Sequence, residues 1–354
     1  MLLLGRWLLT QVGRAGLAAW AITSFVFILS RLDAAKPVDL LLDEPDSQYG
    51  TILTTAASVA QRQAVEQRLG LAEPLFYVTR TQQAGVTSWQ WHGLHNQYHH
   101  WLAGLLQGQL GVSFRDGQPI GPRWRTALAC TLPLTGLATL GAVAGALCVG
   151  LALVGGPQPA VPTGWRAGLH LLLTGLQGLP LFALALGLLF AFANPDVLNI
   201  LPVYADAAAD EPWHQQALRL VLPVSALVLA VLPELALLLA NALGHELGAD
   251  YATTARAKGL TNKQIIVRHA LPNALLPLLT AFAGLLPTLV AGAVVVETIF
   301  TLPGTGRLLA EAVATHDYPV VVAGVLLTAL ARLLALALAD VLYAWADPRI
   351  RLTS

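Results

Sequence analysis

Long apolar runs alternate with short polar islands along this chain, and the spacing of the two predicts helices that cross a membrane. Runs at about 126–154, 167–193, 217–243, 272–298 and 319–344 each exceed what a bilayer core needs, roughly 20 apolar residues in helical form. A further run, Ala15–Ser30, follows Arg6 and Arg14. It reads as an uncleaved first helix starting near Leu8, with Arg14 reaching back to the interface. A cleaved signal peptide is the competing reading, and only Asp33-Ala34-Ala35 resembles its cleavage site. Pro133, Pro180, Pro223, Pro233 and Pro287 fall inside the later runs, where neighbouring helices or water can satisfy the carbonyls they free. The fold class predicted is all-α, a polytopic membrane protein. It has six transmembrane helices and a large extracytoplasmic segment between the first and the second. The predicted divisions are 1–30, a first span; 31–124, an extracytoplasmic or interfacial segment; 125–348, a core with a cytoplasmic loop at 244–271; and 349–354, a cytoplasmic tail.

The polar islands set the orientation. Arg256, Lys258, Lys263 and Arg268 crowd one loop, and Arg349 and Arg351 lie at the end; short loops rich in Lys and Arg face the cytoplasm. The 194–216 loop carries Asp196, Asp206, Asp210 and Glu211 with no Lys or Arg. Both termini are therefore expected on the cytoplasmic side. Within the basic island Asp250 is placed to cap a short helix, and Gly259 suits the position just past its end. Thr261 with Gln264 has the capping-box spacing and opens a second helix. Leu271-Pro272 marks the return to apolar sequence.

Composition narrows the functions available. Of 354 residues 56% are hydrophobic and 11% charged, the formal net charge is zero, and mean hydropathy is +0.63. No basic patch suits nucleic acid. Cys130 and Cys148 sit in one apolar run, about 27 Å apart along a helix, too far for a bridge. Lys36, Lys258 and Lys263 are preceded by Ala, Ala and Asn, whereas a P-loop needs Gly before its Lys. If the protein uses ATP, a partner must hydrolyse it.

Tyr251, Thr254-Ala255-Arg256-Ala257-Lys258-Gly259-Leu260, His269-Ala270-Leu271 and Asn273-Ala274-Leu275 together resemble the EAA loop of ABC-importer permeases. The narrower likeness is to the binding-protein-dependent dipeptide, oligopeptide and nickel branch. Thr253-Thr254-Ala255 stands where Glu-Ala-Ala is usual, with Gly259 and Leu271-Pro272 in place. The likeness extends to Leu69-Gly70-Leu71, Glu73-Pro74, Trp101-Leu102, Gly111-Val112-Ser113 and Gly117-Gln118-Pro119-Ile120. It resumes through Gly292–Phe300, Pro303-Gly304-Thr305-Gly306-Arg307, Asp317-Tyr318-Pro319-Val320 and Asp347-Pro348-Arg349. Residues near 76–97 stand as an insertion. Thr305 replaces a larger apolar residue, Asn241 a basic one, and Leu336 an Asn.

The resemblance implies a permease subunit of the cytoplasmic (inner) membrane of a bacterium or archaeon, moving solute by alternating access. The chain itself has no cofactor; ATP and Mg²⁺ bind to partner ATPase subunits. Implied partners are two ATPase subunits, a second permease (related or identical), an extracytoplasmic solute-binding protein and membrane lipid. Asp250, Tyr251, Thr254, Ala255, Arg256, Ala257, Lys258, Gly259, Leu260, His269 and Pro272 would form the ATPase-coupling loop. Glu297, Glu234, Arg332 and Asp340 are candidates for the translocation path or its gate, against the plainer reading that Glu297 reaches interfacial water. Glu234 and Arg332 fall at comparable depths and are candidates for an ion pair. His92, His95, His99 and His100 approximate a metal-ligand spacing, so a membrane metalloenzyme is the alternative, although no Asp, Glu or Cys lies between Glu73 and Asp116. A secondary transporter is the third reading.

Overall fold

The computed structural model describes residues 13–14, 16–28, 63, 72–83, 86–154, 164–202 and 212–346. In chain order these form α1 (Gly16–Ile28), β1 (Val78–Gln83), β2 (Val86–Trp91), α2 (Gln97–Leu106), α3 (Ile120–Leu153), α4 (Trp165–Gln177) and α5 (Leu181–Ala193). There follow α6 (Trp213–Gly248), α7 (Asp250–Ala257), α8 (Asn262–Ile265), a π-turn (Ile266–Ala270), α9 (Leu271–Ile299), α10 (Thr305–Ala314) and α11 (Tyr318–Ala346). The described residues fall into two compact units. One comprises the described residues within 127–307 together with 13–14 and 331–346, the other those within 16–126 together with 308–330.

In the first unit, small residues set the packing. Leu134, Ala138, Ala142 and Ala146 recur every fourth position on α3 and are completely buried. They join Leu222, Ala226 and Ala236 of α6 and Leu285, Leu289 and Ala293 of α9 in one core. Stripes of Ala and Gly let membrane helices approach closely, which gains van der Waals contact where no hydrophobic drive separates helix from lipid. At 34 and 36 residues, α3 and α6 run for roughly 50 Å, beyond the hydrocarbon core.

The expected single span at 167–193 is instead two helices, α4 and α5, bent by 109° at Gly178–Pro180. Pro180 has an extended ψ of 145° and no N–H to continue α4, and it drives the preceding residue out of helical geometry. Among the described residues, two helices are long and apolar enough to cross a membrane alone, and this bent pair makes a third together. Shorter apolar helices occupy Gly16–Ile28, Thr288–Ile299 and Tyr318–Leu334. Residues 1–12 and 349–354, expected as the start of the first span and the tail, lie outside the described residues.

The second unit corrects the all-α expectation. Val78–Gln83 and Val86–Trp91 pair as an antiparallel hairpin, with Val78 opposite Trp91 and Arg80 opposite Trp89. Its signal was in the sequence: VTRTQQ and VTSWQW alternate β-branched or aromatic residues with polar ones, and Gly85 sits between them, which is hairpin patterning. After it, the Asn96 side chain caps α2 by accepting from the His99 N–H at 2.8 Å. Tyr98 and Trp101 of α2 pack on Phe27 of α1, with ring centroids at 5.6 and 4.9 Å.

One carboxylate joins stretches far apart in sequence within this unit. Asp317, just before α11, is buried and accepts from the Ser113 hydroxyl at 2.5 Å and the Phe114 N–H at 3.0 Å. The Ser113 hydroxyl in turn accepts from the Arg115 N–H at 3.2 Å. Nearby, burial acts to raise the Asp116 carboxyl, but the Gln118 N–H, Ser113 and Arg123 outweigh it and hold it below the usual range. Asp317→Ala would strip a buried N–H of its acceptor, a loss of about 1–3 kcal/mol. The expected outcome is a lower unfolding midpoint in detergent, read by intrinsic fluorescence; an unchanged midpoint would contradict the clamp.

Candidate functional site

The basic island folds into a closed, backed knuckle. Helix α7 ends in a full Schellman arrangement: the Gly259 N–H donates to the Arg256 carbonyl at 2.9 Å and the Leu260 N–H to the Ala255 carbonyl at 3.2 Å. That closure needs a left-handed residue, and Gly259 has φ +83°. The space around it is open, so the requirement for glycine is conformational and not steric. Thr261 and Gln264 then make both bonds of a capping box. Asp250 is not the cap expected for α7. Ala249 holds that position with extended backbone and no side-chain bond, and Asp250 lies one residue inside, where its negative charge still suits the helix N-terminus.

Two faces of the knuckle differ sharply. Ala252 and Ala255 of α7, Ile265 of α8, and Ala270 and Ala274 further on are buried with Leu239, Leu243 and Leu247 of α6. Arg256 donates from Nη2 to the Leu247 carbonyl at 2.6 Å, tying α7 to the last turn of α6. Outward lie Tyr251, Thr254, Ala257, Lys258, Gly259 and His269, all exposed, while Leu260 is half-buried. Pro272 falls in the first turn of α9. Lacking an N–H, it denies the Arg268 carbonyl its usual donor, and the helix passes this point as the π-turn Ile266–Ala270.

Sequence reasoning missed the brace that holds the knuckle's entry. Glu246 Oε2 accepts from the Tyr251 hydroxyl at 2.6 Å and from Asn273 Nδ2 at 3.0 Å, joining the end of α6, the start of α7 and the first turn of α9. Burial, followed by the bond and charge of Glu246, pushes the Tyr251 hydroxyl up to about 12. A signal existed: an acid two residues from the end of a long helix opposes the helix dipole and calls for another partner.

The path and gate candidates do not converge. Glu297 is completely buried, with its carboxylate set against the first turn of α10. Its Oε2 accepts from the Gly306 and Arg307 N–H groups at 2.7 and 3.1 Å, and its Oε1 from the Thr131 hydroxyl at 2.6 Å. Thr131 Oγ1 takes the Thr305 N–H at 2.8 Å. The orphan donors of the first turn of α10 are thus met by side chains of α3 and α9. Gly304, at the cap position, contributes no side chain, and a Cβ there would collide with the Glu297 carboxylate. Thr305, the departure noted in the sequence, lies 3.1 Å from Thr131 Oγ1 through its own hydroxyl. Glu234 and Arg332 are both exposed, and among the described residues no ion pair joins them. The Asp340 side chain lies outside the described residues.

The histidines part company. His92 Nε2 meets Thr79 Oγ1 at 2.7 Å, His99 Nδ1 meets the Tyr77 hydroxyl at 3.2 Å, and His100 Nε2 lies 3.4 Å from Glu73, while His95 is exposed. Among the described residues no three His, Cys, Asp or Glu gather as metal ligands, and the metalloenzyme reading loses the convergence on which it rested.

Residues 163–352 match the family described as binding-protein-dependent transport system inner membrane component. The chain is 34% identical over 275 residues to the dipeptide transport system permease protein DppB of Escherichia coli K12, covering 72% of this chain and 80% of that one. It is 28% identical to the oligopeptide transport system permease protein AppB of Bacillus subtilis, covering 93% and 94%. A solved structure titled as an inward-facing conformation of the MetNI methionine ABC transporter aligns over 62% of this chain and 94% of its own, with TM-score 0.47 and 19% identity.

Glu297→Ala would leave one hydroxyl and two N–H groups without their acceptor in a buried site, with a loss on the order of 3 kcal/mol. The expected outcome is a reduced folded yield by size-exclusion chromatography in detergent. Wild-type yield and unfolding midpoint would show that the carboxylate does not hold α10.

Proposed function

This chain belongs to the inner membrane components of binding-protein-dependent transport systems, and we propose that the solute it passes is a short peptide or a related small molecule. It is the permease subunit of an ATP-driven importer, a transport subunit and not an enzyme, with ATP hydrolysis in a separate subunit. The proposal extends to six spans with both termini in the cytoplasm. It also includes a second permease, two ATPase subunits and an extracytoplasmic binding protein that delivers the solute.

Within that assembly the Asp250–Pro272 loop is the handle that the ATPase moves. The observation that carries this reading is the knuckle's two-faced build. Its outer face is polar and exposed, and its inner face is buried against α6. The Arg256 and Glu246 bonds anchor it to α6 and α9. A push on such a body is not absorbed by the loop. It passes into the two helices, whose tilting opens the path to one side and then the other.

Gly259→Val tests the handle. A β-branched residue is strained at φ +83°, so the turn must deform while the apolar runs still insert. The variant is expected in the membrane at normal level, with co-purification of ATPase subunits and ATP-driven uptake of a labelled dipeptide both reduced at least about tenfold, a change worth 1.4 kcal/mol or more. Normal uptake would remove the loop from the coupling path. Replacing His92, His95, His99 and His100 together by Gln is expected to leave uptake within about twofold of wild type. Stoichiometric metal in the wild type, with uptake lost in that variant, would reverse this.

A further inference from the structure

A cavity of about 490 Å³ lies in the first unit between α6 and α9, with Leu181 of α5 on one side. On α9 its wall repeats every fourth residue as Thr280, Gly284, Thr288 and Gly292, so one side is built of small residues that leave room. On α6 the facing group is Glu234, and the remaining lining is apolar. The volume is that of a small-molecule site. Glu234 lies 21 residues from Trp213 and 14 from Gly248, roughly 30 and 20 Å from the helix ends, deep within the span.

The chemistry of the lining has one sign. Thr280 donates its hydroxyl hydrogen to the Leu276 carbonyl at 3.3 Å, and Thr288 donates to the Gly284 carbonyl at 2.8 Å. What both offer the cavity is therefore lone pairs. Glu234 offers carboxylate oxygens, and among the described residues it has no hydrogen-bond or ion-pair partner. Next to it, Pro233 denies the Leu229 carbonyl its usual donor within α6. No Lys, Arg or His lines the space. An unpaired carboxylate at that depth marks a pathway or a bound partner, and apolar walls strengthen its pull on a positive charge. An ammonium group supplies donors and no acceptors, which is the complement of this lining.

We propose that the cavity is a subsite of the translocation path that takes the ammonium group of the passing solute, with Glu234 as the residue that selects for it. This rests on the importer reading above. It adds a charge preference within the membrane portion of the path, separate from selection by the binding protein.

The test uses the full complex in detergent, with Cys130 and Cys148 replaced by Ser and a single reporter thiol introduced as Gly284→Cys. A Cβ at Gly284 would meet nothing within 4 Å, so the thiol enters open space. Modification rates are measured for a trimethylammonium-bearing methanethiosulfonate and for its sulfonate counterpart, each divided by its rate with free cysteine. The normalised cation-to-anion ratio is expected to exceed that of the Glu234→Gln background by about tenfold, as a unit charge acting at close range with opposite sign on the two reagents implies. A difference below threefold, or no modification by either reagent, overturns the subsite; a cation from a partner subunit already seated on Glu234 would give the first of these results. ATP-driven uptake of a labelled dipeptide is measured on the same complex, reconstituted into sealed vesicles before the thiol changes. Intact uptake with an unmoved ratio sinks the subsite alone, whereas absent uptake sinks the importer reading. A ratio that falls while uptake is absent leaves an ammonium site off any import path, and overturns the path assignment.

Discussion

A carboxylate with no access to water must find donors, and in the first unit the search ends at the start of a helix. Glu297 of α9 answers two N–H groups of the first turn of α10, and Thr131 of α3 answers a third while donating to Glu297. A helix usually carries its own cap; here the cap position is Gly304, whose bare backbone is what lets the carboxylate in. One side chain therefore fixes where α9 ends, where α10 begins and how close α3 stands to both. The turn between is held by the same residue, since the Leu302 N–H donates to the Glu297 carbonyl. Helix ends that would otherwise leave polar groups unmet inside a membrane protein are closed by this node.

What the sequence made legible divides along the distance between partners. Gly259 and the Thr261–Gln264 box involve residues within a few positions of one another, and their spacing alone declared the closure that the structure has. The Glu297 donors, the Ser113–Asp317 clamp and the Glu246–Asn273 bond link residues from 9 to 204 positions apart. No local pattern encodes those. A buried Glu in an apolar run looks the same whether it faces a water-filled path or the end of another helix, because the cost of leaving it unmet is common to both.

Other departures had readable causes. Pro180 was counted as one of several tolerated prolines, yet it stands two residues after Gly178, and the pair leaves both a missing donor and a permissive joint where the 109° bend falls. The hairpin at Val78–Trp91 falls in the segment that stands as an insertion against the family likeness, where the likeness carries no information and only the alternation of Thr and Trp with polar residues carried the strand signal. The capping position before α7 went to Ala249 because the chain leaves α6 in an extended conformation one residue earlier than a side-chain cap by Asp250 would require.

The π-turn between the knuckle and α9 sets a phase. Ile265, Ala270, Ala274 and Leu278 are all buried, at spacings of five, four and four. In an unbroken α-helix a step of five residues overshoots a full turn by about 140°, and Ile265 would swing away from the α6 leucines that cover it. The wider turn absorbs the surplus residue, so loop and span keep one buried face in common. The π-turn thus acts as a gear tooth: with one residue fewer between Ile265 and Ala270 an unbroken α-helix would keep the two buried faces in phase, whereas with the present five-residue step and no wider turn the outer surface of one would rotate by about 100° relative to the other.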